Sequence, residues 1–90
     1  MSNKQMNDAA LKINKENFFG KLGRNYCESC GVSFGLSFAH RQKRRHYRTV
    51  KELTDYNEVI VLCLREHEII EKSPEKTKEL FDRLRPRKQK

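Results

Sequence analysis

The sequence predicts a small α+β domain: a β-hairpin tied by a metal ion to the helix that follows it, with further helices on either side. Three observations carry this. Cys27 and Cys30 form a C-x2-C step closed by Gly31, and Cys63 and His67 form a C-x3-H step 33 residues after Cys30. Two runs with strand character lie in the span between the steps, the second leading into Cys63. Finally, only 36% of the 90 residues are hydrophobic and 36% are charged. So thin a core makes a bound metal a reasonable source of the missing stability.

The elements follow in order. Residues 1–26 read as a polar N-terminal segment. Asn7 or Asp8 is placed to cap a helix with Leu11, Phe18, Phe19 and Leu22 on one side, with Gly20 and Gly23 breaking it and residues 1–7 as a loose tail. The metal-binding core spans 27–72. Val32, Phe34, Leu36 and Phe38 alternate with small or polar residues, as on one apolar face of a strand. Gly35 marks a bend or a bulge, and His40 shares the apolar parity. After a turn at Asp55, Tyr56 and Asn57, the β-branched run Val59 to Leu62 forms the second strand and delivers Cys63. A helix starting near Cys63 then carries His67 one turn on. Residues 73–90 read as a C-terminal helix and basic tail. Ser73 caps, Pro74 takes the first helical position, Leu80, Phe81 and Leu84 share a face, and Pro86 ends the element.

The cysteine and histidine spacing suits zinc, which thiolate and neutral imidazole bind in a tetrahedron. Three cysteines is an odd number, which argues against an oxidised secreted scaffold. With no apolar run long enough for a leader or a membrane span, the chain is expected in the cytoplasm, where reduced thiols bind metal. Twenty Lys+Arg against 12 Asp+Glu give a formal charge of +8. That favours a polyanionic partner: DNA, RNA or an acidic protein face. The cations cluster: Arg41, Lys43, Arg44, Arg45 and Arg48 fall within eight positions, with Tyr47 among them as a base-stacking candidate. Arg85, Arg87, Lys88 and Lys90 read as a second, disordered electrostatic arm.

The runs CESCG, SFAHRQKRR and NEVIVLCLREHEIIE are similar to those of small HNH-family proteins, many of them from phages. The resemblance covers residues 27–72 and implies a ββα-metal fold of the treble-clef type. In the family, four cysteines hold a structural zinc and a final histidine serves a catalytic ion. Here Glu66 stands where the fourth cysteine would be, so the fourth zinc ligand is His67 or Glu66. His67 is the reading favoured, because imidazole is the commoner fourth ligand in structural sites. By the same resemblance His40 matches the general base and Asn57, approximately, the middle asparagine. Ala39 stands where a metal-binding residue often precedes the base.

Two readings of function follow. In the first, a zinc-built domain binds nucleic acid through its basic segment, its catalytic set degenerate. In the second it is a metal-dependent endonuclease, with His40 as base and His67, His46 or Asn57 helping to hold magnesium or another divalent ion. A third class, a small phage effector docking on a host protein, fits the same compact basic composition. The balance leans to binding, because Ala39 removes one ligand and the zinc takes another.

Overall fold

The computed structural model describes residues 3–86. Its centre is a two-stranded antiparallel sheet of β1 (Leu36–His40) and β2 (Val59–Cys63), in a register that pairs Leu36 with Cys63 and His40 with Val59. Helix α1 (Asn3–Asn14) runs into a π-helical segment (Lys15–Lys21) before the sheet. Helix α2 (Val50–Leu53) lies between the strands, and α3 (Leu64–Glu71) and α4 (Pro74–Leu84) follow them.

Val59 to Leu62 reads as an unbroken apolar run because both faces of the hairpin are covered. Ala39, Ile60 and Leu62 pack with Ile70 of α3 and Leu80 and Phe81 of α4. On the other face Phe38, Val59 and Val61 pack with Phe18 of the π segment. Cys27 and Cys63 belong to the first of these clusters, so the knuckle is built into the core rather than hung from it.

The start and the buried face of α4 match expectation. Ser73 Oγ accepts from the Lys76 N–H, Pro74 opens α4, and Leu80 and Phe81 are buried. Helix α3 starts directly after Cys63, which is its N-cap residue. The N-terminal region differs. Helix α1 is already formed at Asn3, so residues 3–7 are helical rather than a loose tail; residues 1 and 2 lie outside the described residues. The inward row is Ala10, Asn14 and Phe18, at steps of four, while Leu11 and Leu22 are exposed. Gly20 does not break the segment, which runs on to Lys21; Gly23, at φ +61°, follows its end.

The first strand is shorter than the alternation suggested. Phe34 is 76% exposed and lies outside β1, and Gly35 at φ +61° makes the bend that starts it. Helix α2 was not anticipated, although Thr49-x-x-Glu52 carries the signal. Thr49 Oγ1 accepts from the Glu52 N–H at 3.1 Å, and Glu52 Oε1 accepts from the Arg48 N–H at 3.2 Å. No helix among the described residues is long and apolar enough to cross a membrane.

Candidate metal centre and the histidine groove

The fold brings three sulfurs together. Sγ of Cys27, Cys30 and Cys63 all lie within 4.8 Å of one another, with Cys30 and Cys63 3.7 Å apart. Cys27 and Cys63 are buried and Cys30 is exposed. The knuckle turns back on itself: Gly31 N–H donates to the Cys27 carbonyl and Cys30 N–H points at Cys27 Sγ from 3.4 Å. Burial by itself would push the Cys27 thiol up, but the backbone N–H groups of Cys30, Cys63 and Ser29 outweigh it and bring the thiol below its ordinary value. At Cys30 the Val32 N–H lowers the thiol, while desolvation and the neighbouring sulfurs of Cys27 and Cys63 outweigh that and raise it. A thiolate is thus favoured at Cys27 and opposed at Cys30 by its neighbours unless a cation sits among them. This donor set fits a soft metal ion.

A buried carboxylate clamps the knuckle to the sheet. Glu28 N–H donates to the Val61 carbonyl at 2.8 Å, and Glu28 Oε2 accepts from the Val61 N–H at 2.7 Å. Together these occupy the outer edge of β2, in the manner of a one-residue third strand. The carboxylate is held in turn by Arg85, through contacts of 2.8 and 2.9 Å, and by Arg24 at 3.0 Å.

His67 does not join the cysteines. Its Nδ1 is 2.7 Å from Ser37 Oγ on β1 and its Nε2 is 3.1 Å from Glu71 Oε1, one turn along α3. The ring is turned into a groove of about 920 Å³ that His40 also lines, together with Lys43, Arg44 and residues of α4. Glu66 is the neighbour of the knuckle instead: Ser29, between Cys27 and Cys30, donates its hydroxyl to Glu66 Oε1 at 3.1 Å.

His40 Nε2 lies 2.9 Å from the Leu53 carbonyl, which only accepts, so Nε2 carries the hydrogen in the neutral ring. Burial pushes His40 below its ordinary value, the Leu53 bond opposing and Arg44 and His67 adding to the effect. His67 is likewise lowered by burial, against Glu71 and with Arg44. Both rings therefore hold a second proton less tightly than a free imidazole does. Below about 6.5 the unfolded chain takes up protons that the folded chain resists. Stability should be complete above that value and fall as the pH drops toward the folded-state pKa values. Thermal unfolding followed from about pH 7.5 down to 5.5 should show this, with a shallower slope in His40→Gln. A melting temperature that holds or rises on acidification, or an unchanged slope in the variant, would rule it out.

The basic segment divides. Lys43, Arg44, Arg45 and Arg48 are exposed, with Lys43 and Arg44 on the histidine groove. Arg41 is engaged internally, beside Glu58 at 3.3 Å and Asp82 at 3.5 Å and over the Phe81 ring. Tyr47, expected to stack on a base, is 6% exposed. It donates to Glu58 and accepts from the Gln42 N–H, and burial first, with Glu58, pushes its phenol up to about 12. Asn57 lies in a different depression from His40 and His67, beside His46 and Asp55. Ala39 is buried in the core. Arg85 is not part of a disordered arm: it is 3% exposed, with its guanidinium 3.9 Å from the Tyr56 ring centroid. Arg87, Lys88 and Lys90 lie outside the described residues.

Comparison with known protein families, curated proteins and solved structures finds no match to this chain.

Proposed function

We propose that the protein is a zinc-stabilised ββα-metal domain of the treble-clef type that binds the phosphate backbone of nucleic acid in the groove beside β1. Zinc is the ion proposed for the three cysteines, because three thiolates on a knuckle and a helix start suit it. Bound there, it supplies fixed geometry and folding energy. The observation that carries the binding reading is the groove's makeup. Lys43 and Arg44 are exposed at it, and with Arg41 and Lys78 its cations outnumber its carboxylates, Glu71 and Asp82. Contacts of this kind give affinity without sequence choice and release counterions.

The test is the salt dependence of binding to DNA and RNA of mixed sequence. Replacing Lys43 and Arg44 with alanine should make the logarithmic salt slope shallower by about 2 units. Replacing Arg45 and Arg48, which are exposed away from the groove, should change it less. Equal effects from both pairs would move the interface out of the groove, and no binding by the wild type would sink the reading. Binding to a host protein without salt-dependent nucleic-acid binding would favour the effector class.

One observation favours the endonuclease reading as a second. His67 is turned away from the cysteines and shares the groove with His40, so a divalent ion held there does not compete with the zinc for it. In this reading His67 supplies a metal ligand at the groove, and a base at His40 requires that its buried Nδ1 open to the groove. Nicking of supercoiled plasmid with Mg2+, Mn2+ or Ni2+ that disappears in His40→Ala would establish it.

A further inference from the structure

Two side chains that share one carbonyl beside α1 each bury an acceptor without a partner. Asn14 is 1% exposed, and its Nδ2 donates to the Leu53 carbonyl at 3.3 Å. The same carbonyl accepts from His40 Nε2 at 2.9 Å. Because that carbonyl cannot donate, the donor ends of both side chains are fixed, the amide nitrogen of Asn14 and the Nε2–H of His40. Their acceptor ends, Asn14 Oδ1 and His40 Nδ1, are out of solvent contact and have no hydrogen-bond partner. Leaving a buried polar atom unpaired costs about 1–3 kcal/mol, so two in one place ask for an explanation.

Both residues line one cavity of about 90 Å³, which Phe38 and Leu53 also line. Its charged neighbours are Asp8 of α1 and Arg44. A water occupies about 30 Å³ in the liquid, so the cavity is large enough for hydration. Two acceptors are satisfied together by a molecule with two donor hydrogens, and water is the smallest.

We propose that this cavity is a hydration site in which water donates to both Asn14 Oδ1 and His40 Nδ1, and that Asn14 is a positioning residue for His40. Through the shared carbonyl it steadies the Nε2–H tautomer, and through the water it holds Nδ1 as the ring's free base. The inference is independent of the nucleic-acid reading, since it concerns the state of His40 in the free protein. It also assigns a task to α1, a helix outside the hairpin and the cysteine cluster: through Asn14 it sets which nitrogen of His40 takes a proton.

The experiment is a long-range 1H–15N spectrum of the histidine rings, with magnetisation-transfer measurements from water. The wild type should show His40 as the Nε2–H tautomer, with transfer from a persistent water at the ring. Asn14→Leu, close in volume but without either polar end, should abolish that transfer and lower the Nε2–H fraction, leaving the His67 signals in place. Asn14→Asp keeps an oxygen at the same position and should retain the bound water. A wild-type His40 in the Nδ1–H tautomer would overturn the proposal, as would Asn14→Leu with tautomer and water transfer unchanged. Displacement of the Nδ1 signal by added Zn2+, with water no longer at the ring, would also overturn it by making the occupant a cation. Should Asn14→Leu fail to fold, the wild-type tautomer and water transfer decide the matter alone.

Discussion

Cys63→Ser is expected to leave a chain that neither holds metal nor unfolds cooperatively. The sulfur of Cys63 lies 3.7 Å from that of Cys30 and within 4.8 Å of that of Cys27. Its residue also ends β2, stands at the N-cap position of α3 and belongs to the main core cluster. Removing it therefore takes away a thiolate and loosens the joint between sheet and helix. Zinc binding to small structural sites is worth about 10–16 kcal/mol and appears as folding energy. A whole domain is stable by about 5–15 kcal/mol, so losing the site is comparable to losing the fold. Purified wild type should contain about one zinc per chain, and a strong chelator should reproduce the effect of the substitution. His67→Ala should leave the zinc content unchanged, because its ring is held by Ser37 and Glu71. Glu66→Cys, one turn after Cys63 and beside Ser29, should tighten retention against the chelator. A Cys63→Ser protein that melts like the wild type would remove the metal from the account altogether.

What the sequence made legible is what local patterns encode. The β-branched run into Cys63, the Ser73-Pro74 helix start and the positive-φ bend at Gly35 each depend on neighbours a few residues away. The convergence of the three cysteines was legible too, because a C-x2-C turn and a cysteine at a strand end each fix a local geometry. The direction of His67 was not. Spacing places a residue at the start of α3 but does not say whether its side chain reaches the knuckle or β1. That is decided by Ser37, 30 residues earlier, whose hydroxyl meets Nδ1.

The basic residues illustrate the same limit from the other side. Composition counts a guanidinium as a surface charge, and for Arg44 that holds. Arg41 and Arg85 instead find carboxylates and aromatic rings brought up by distant segments. Tyr47 is drawn inward by Glu58 and by the cluster it forms with Ala10 and Leu53. No periodicity signals such partners. Asn14 is the extreme case: a polar residue on the inward row of α1, buried because Leu53 and His40 come to it from more than 25 positions away.

Arg85→Ala should be the most damaging substitution outside the cysteines. Arg85 grips Glu28 with two nitrogens, donates from Nε to the Tyr56 carbonyl at 2.9 Å and lies over the Tyr56 ring. Its side chain and that of Glu28 are almost entirely shielded, at 2% and 6% exposure. Truncating one partner of a buried pair leaves the other as an uncompensated charge, which costs about 3–5 kcal/mol. Arg24 still contacts Glu28, but it is more exposed and screened by solvent, so it offsets only part of that loss. The damage should not stay at the C-terminus. Glu28 holds the outer edge of β2 and sits between Cys27 and Ser29, so a Glu28 that turns toward water pulls the knuckle with it. Arg85→Ala should therefore release zinc to a chelator faster as well as melt lower. The double variant Glu28→Leu with Arg85→Met removes both charges and should be more stable than Arg85→Ala alone, since it leaves no orphaned carboxylate. Chemical denaturation of the three proteins measures this. A loss below about 1 kcal/mol in Arg85→Ala would class the pair with solvent-screened surface bridges and detach the C-terminal helix from the metal centre.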